Sequence, residues 1–298
     1  MGSSRNTKGS LMRYEAAGAF RMALEEHIKK FCPPNSPAIQ RLRKRVAIER
    51  FLGRLQEPVK SPYLLMGAFA LYLRFGSRAR VTQDLDLGTN SSHLDPLPSS
   101  PSEIFADLQR AAATPFDDFF AFRILGKGEA IKQEPEVRAY RFTVQAILAG
   151  RPFESFRIDV GVATKLVAPP EEIHESNLLA FAGIAPKQFR AVSLVQQFAE
   201  KVHAFTFPWR DRVNTRVKDL VDLALILELA PPDPNVIRRA LEVVFSDRSL
   251  HPIPAKIPDP PAPWGPMYAR SAADSGIVHA ELSDAVQFLR EYWTRVFP

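Results

Sequence analysis

The chain has 298 residues, 46% apolar and 24% charged, with a net charge of +6. This is the composition of a globular protein long enough for one large core or two modest ones, and no apolar run reaches the roughly 18 residues of a membrane span. Its one cysteine, Cys32, excludes an internal disulfide and any metal site built on cysteine pairs, and points to the reducing cytoplasm. The start, MGSSRNTKGS, lacks the apolar stretch of a secretion signal. Charge is unevenly spread: residues 1–60 hold 13 Lys and Arg against 5 Glu and no Asp, a net +8. A basic segment on a slightly acidic body suits attraction of a polyanion to one side.

In chain order, helices are expected over 13–31 and 37–56, separated by FCPPNSP, with Ser36 and Pro37 as cap and first turn. The second helix has an apolar stripe of Ile39, Leu42, Val46, Phe51 and Leu55, with Arg41, Arg43, Lys44, Arg45 and Arg50 outside it. SPYLLMG (61–67) reads as a buried strand, AFALYLRFG (68–76) as a short helix, and 79–88 as the next strand. A loop over 91–101 precedes a helix at 102–113. Strands follow at 116–125, 137–148 and 152–162, with a charged connection, GKGEAIKQEPE, between the first two. Beyond 190 the chain reads as helical at 193–206, 213–229, 234–246 and 279–295, interrupted by a proline-rich strap over 251–266.

The segment RARVTQDLDL (78–87) alternates aspartate and leucine. In a strand, Leu85 and Leu87 face the core while Asp84 and Asp86 share the other face, about 6–7 Å apart. FRIDVGV (156–162) alternates too, placing Asp159 opposite Phe156, Ile158 and Val160. Solvated aspartates at exposed strand ends would show the same spacing. If the two strands lie side by side, however, three carboxylates converge, and such a set can hold two divalent cations for phosphoryl or nucleotidyl transfer. A turn at Gly67 opening a helix suits close approach of a triphosphate, with Arg80 as fixed positive charge and Thr82 as a further contact.

YLLMGAFALYLRFGSRARVTQDLDL resembles the nucleotidyltransferase pattern in which a glycine turn opens a helix and an Asp-x-Asp strand follows. With RIDV, EKVHAF (200–205), RVKDLVDL (216–223) and PPAPWGPMYARSA (260–272), the chain resembles the AbiEii/MenT toxins of the polymerase-β-type superfamily. The likeness runs from IERFLGRL (48–55) to the strap. It implies an α+β fold: a mixed nucleotidyltransferase sheet with N-terminal helices and a C-terminal helical half. The expected units are a core over 1–190 and a helical domain over 191–298.

By motif, the resemblance implies Asp84, Asp86 and Asp159 as metal ligands. Lys201 and Asp219 would complete the catalytic set, with Asp222 in reserve, and Gly67, Arg80, Thr82 and Lys201 would bind nucleotide. The implied cofactor is Mg2+ or Mn2+ and the substrate a nucleoside triphosphate. An RNA acceptor is implied, the tRNA 3′ end foremost, with growth arrest as the outcome and a cognate antitoxin as partner. Arg41, Arg43, Lys44, Arg45 and Arg50 are the expected RNA contacts. Met66-Gly67-Ala68 departs from the family turn, lacking its lysine and its serine, which leaves nucleotide affinity in question. The alternatives are a small-molecule transferase of aminoglycoside type, or a non-catalytic binding protein on the same fold.

Overall fold

A computed structural model of the chain describes residues 13–57, 61–80, 82–90, 97–131, 139–209 and 213–298. Parts of the expected loops at 91–101 and 126–136 lie outside them. Helices α1 (Ala17–Lys29) and α2 (Pro37–Gln56) lead into β1 (Tyr63–Met66), α3 (Gly67–Phe75) and β2 (Asp84–Thr89). Then come α4 (Pro101–Ala113), β3 (Phe120–Ala130), β4 (Ala139–Leu148), β5 (Arg151–Gly161), β6 (Glu171–His174) and β7 (Gln188–Ala191). The remainder is helical: α5 (Leu194–Thr206), α6 (Val217–Leu229), α7 (Pro234–Arg248), α8 (Trp264–Ser275) and α9 (Leu282–Val296). No helix among the described residues is long and apolar enough to cross a membrane.

The seven strands form one mixed sheet in the order β3-β4-β5-β2-β1-β7-β6, giving an α+β fold with helices at both ends. The pairs β2–β5 and β1–β7 are parallel and the rest antiparallel. Alternation along β2 and β5 sends Leu85, Leu87, Phe156, Ile158 and Val160 into a core covered by α1, α2 and α4. A second core joins α5 through α9. Helix α3 contributes to both, Phe69 and Ala70 to the first and Leu71 to the second.

Several expectations needed correction. Strand β3 runs five residues past 125, because Gly128, at φ +90°, lets Phe142 pack where any Cβ would stand 2.4 Å from its ring. Strand β2 starts at Asp84, so Thr82 precedes it. The strap gives way at Trp264 to the unexpected α8, and the short β6 and β7 were also unforeseen. Trp264 is buried and donates to the Asn214 carbonyl at 2.7 Å, which accounts for it as packing.

The C-terminal half of α2 is enclosed on every side: all residues from Val46 to Leu55 are buried. Its charged members are therefore paired. Asp118, fully buried, accepts from Arg50 at 2.8 Å and from Arg54 at 2.6 and 2.9 Å, while Arg50 also meets Glu175 at 3.1 Å. Removing a partner from such a set strands buried charge. Asp118→Ala should lower unfolding free energy by about 3–5 kcal/mol, read from urea denaturation.

Candidate active site

The parallel register of β2 on β5 sets Asp86 directly beside Asp159, and Asp84 beside Arg157. On the flanking strands, Arg141 pairs with Asp159 and Met66 with Asp86. Adjacent strands lie about 4.8 Å apart, so the three carboxylates share one patch of the sheet face opposite α2. That face opens on a cavity of about 670 Å³ between Asp86, Asp159 and Gly67 on the sheet side and Glu200, Arg216 and Arg248 on the helical side.

Two of these carboxylates are already engaged by guanidinium groups. Arg141 grips Asp159 at 2.7 and 2.5 Å, and Arg157 grips Asp84 at 2.9 and 3.3 Å, both in two-pronged fashion. Among the described residues no three acidic, His or Cys side chains close round a single ion position. The donor types and the register nevertheless suit divalent cations: three carboxylates on one face, with Asp86 holding no ion-pair partner among the described residues.

Asp86 sits against the first turn of α3. Gly67 has φ +68°, and a Cβ there would stand 2.0 Å from the Asp86 carboxylate and 2.7 Å from its Cβ. Only glycine permits this approach. No side chain caps the α3 N-terminus, and its first residue, Gly67, lines the cavity. Burial, helped by repulsion from Asp159, pushes the Asp86 carboxyl up to about 7 against the pull of Lys201 and Arg80.

Across the cavity, α5 and α6 present a buried ion cluster. Lys201 donates to Asp222 at 2.6 Å and to Asp219 at 3.3 Å, and Arg80 forks onto Asp222 at 3.0 Å through two nitrogens. Burial alone would lower the Lys201 pKa, but Asp222 and Asp219 outweigh it and hold the ammonium charged. Burial would likewise raise Asp222, but Lys201 and Arg80 outweigh it and keep that carboxylate ionised. Asp222 is fully enclosed, whereas Asp219 reaches a small annex of the cavity beside Lys201, Glu200 and Arg216. Sequence spacing could not separate the two aspartates; burial makes Asp222 the binder of the cluster and Asp219 the one that faces the cleft.

The other expected residues fall in different places. Arg80 is committed to Asp222 rather than aimed into the cavity. The Thr82 hydroxyl is 3.2 Å from the Asp84 carbonyl and 3.4 Å from its amide, shaping the entry to β2. The basic residues of α2 lie with that helix on the opposite face of the sheet. Arg50 is buried with Asp118 and Glu175, so it cannot reach RNA; Arg43 pairs with Glu25, and Arg45 with Glu49. Arg41 is exposed, and Lys44 touches Gln83 at 3.5 Å beside the start of β2. Arg141 and Arg157 were missed. Arg157 was visible in FRIDV on the face of Asp159, but only the long-range register shows which carboxylate each arginine meets.

Two outcomes follow from this arrangement. The fold keeps the Asp86 proton to about pH 7, while the unfolded chain releases it near 3.8, so Asp86 reduces stability as pH rises across that interval, and fully above it. Asp86→Asn should match wild type in stability near pH 4 and exceed it by a few kcal/mol at about pH 8, as thermal melts across pH would show. Asp222→Ala, which strands Lys201 and Arg80, should cost about 3–5 kcal/mol in urea unfolding, whereas Asp219→Ala should remain stably folded.

A family profile described as "Nucleotidyl transferase AbiEii toxin, Type IV TA system" matches residues 50–287. Among solved structures the fold is similar to MenT4, a nucleotidyltransferase toxin from Mycobacterium tuberculosis H37Rv. Identity is 16% and the TM-score 0.57, and the match covers 93% of this chain and 89% of that one. At that identity the likeness is one of fold. No curated protein matches the sequence. The profile spans both the carboxylate strands and the Lys201–Asp222 helices, and on that match the chain belongs to the AbiEii nucleotidyltransferase toxin family.

Proposed function

We propose that the protein is a metal-dependent nucleotidyltransferase that moves a nucleoside monophosphate from a nucleoside triphosphate to the 3′ hydroxyl of an RNA, tRNA foremost. The tRNA so modified would no longer serve translation, and an antitoxin would hold the activity in check. The observation carrying this reading is the pairing of Asp86 with Asp159 beside the uncapped Gly67 helix start, across one cavity from Lys201 and Asp219. Asp84, Asp86 and Asp159 would hold Mg2+ or Mn2+, which supplies charge stabilisation to the transferred phosphoryl group and activates the attacking hydroxyl. The α3 amides and Gly67 receive the phosphates from one side. Lys201 supports them from the other as a fixed charge, because Asp222 and Asp219 keep it protonated and oriented. The 3′ oxygen forms a phosphodiester bond to the α-phosphorus as the α–β phosphoanhydride bond breaks and pyrophosphate leaves.

Arg41 and Lys44 are the α2 cations left for an RNA backbone, Lys44 lying at the end of the sheet where β2 starts. The test is transfer of label from each α-labelled triphosphate onto total RNA by purified protein with Mg2+ or Mn2+. Labelled RNA from wild type, and at least a hundredfold less from Asp86→Asn, is the expected result. Label on an aminoglycoside but not on RNA would establish the small-molecule alternative. No transfer to either acceptor would favour a binding protein.

A further inference from the structure

The two arginines on the carboxylates have a role that neither the fold nor the ion cluster behind them requires. Arg141 on β4 stands level with Asp159, and Arg157 on β5 stands level with Asp84. Each spreads two nitrogens over both oxygens of its carboxylate, and neither makes another hydrogen bond among the described residues. Their side chains are 34% and 51% exposed, so both can leave without breaking any core contact. Lys201 and Arg80 differ in this respect: both are bound to the enclosed Asp222.

A divalent cation needs the same oxygens. Mg2+ ligands stand at about 2.0–2.1 Å, and an oxygen whose outer side already carries a guanidinium at 2.5–2.9 Å cannot also bring the second cation in beside it without strong repulsion. Metal and arginine therefore compete. Once displaced, two guanidinium groups would stand beside the incoming cations at high electrostatic cost unless a polyanion came between them. A triphosphate is such a polyanion, and paired guanidinium nitrogens match phosphate oxygens as well as carboxylate oxygens.

We propose that Arg141 and Arg157 are exchangeable counter-ions of the active site. Without substrate they hold Asp159 and Asp84. When nucleotide arrives with its divalent cations, the arginines pass from carboxylate to phosphate while the cations take the carboxylates. Metal and nucleotide then bind cooperatively, because neither alone completes the exchange. The inference rests on the three aspartates being the metal ligands, as set out under Proposed function.

Calorimetric titration of Mn2+, alone and with a non-hydrolysable nucleoside triphosphate, tests it on wild type, Arg141→Gln, Arg157→Gln and Asp86→Asn, each first checked for a single cooperative melt. Wild type should bind Mn2+ weakly alone and at least about tenfold more tightly with nucleotide. In either glutamine variant Mn2+ alone should bind several-fold more tightly, and the enhancement by nucleotide should shrink. Arg157, the more exposed of the two, carries the test by itself if Arg141→Gln does not fold. Unchanged or weaker Mn2+ binding in the glutamine variants, with binding abolished in Asp86→Asn, would overturn the exchange and leave the metal assignment standing. Wild-type Mn2+ binding by Asp86→Asn would remove the metal assignment itself.

Discussion

A carboxylate shut away from water must be given cations, and Asp222 receives two. Arg80 comes from the lead-in to β2, Lys201 from α5, and Asp222 itself from α6. The lead-in to β2, 142 residues before Asp222, and the two helices α5 and α6 are thus fixed against one another at a single point. On one side of that point lies the strand bearing Asp84 and Asp86, and on the other the lysine that faces the cleft. Well-packed apolar residues could hold the elements together equally well. They could not hold a charged ammonium at the cavity wall.

The sheet side depends on an absent side chain. The Asp86 carboxylate occupies the space where residue 67 would otherwise place a Cβ, and the positive φ at that position is one that other residues rarely adopt. Gln197 on α5 donates to the Gly67 carbonyl at 2.7 Å, so the turn is also tied to the helical half. The backbone of this turn, which carries neither lysine nor serine, is thus set by Gly67 and Gln197. On the proposed reading, phosphates there would meet amide dipoles rather than side-chain charge, which would give exchangeable cations such as Arg141 and Arg157 more weight.

Features set by short stretches of chain were legible in the sequence. The alternation of Asp84-Leu85-Asp86-Leu87 and of Ile158-Asp159-Val160 assigned faces correctly, and Ser36 caps α2 by accepting from the Ala38 amide. What needed the structure was pairing across distance. Arg50 lies outside the apolar stripe of α2, yet that rule assumes one wet side, and the C-terminal half of α2 has none. Asp219 and Asp222 lie three residues apart on one helix, and their depth tells them apart. Residues 126–130 carry two glycines and look like a turn, but the space opened at Gly128 is filled by Phe142 from the neighbouring strand.

Helix α3 belongs to both cores: Phe69 and Ala70 pack with the sheet and Leu71 with the helical half. Its first residue, Gly67, lines the cavity that those two halves enclose. The halves therefore cannot tilt about the cleft as two free jaws, because the helix joining them starts at the cavity wall. A change in the width of the cleft would therefore move the α3 start against Asp86, making the sheet wall and the helical wall one mechanical coordinate.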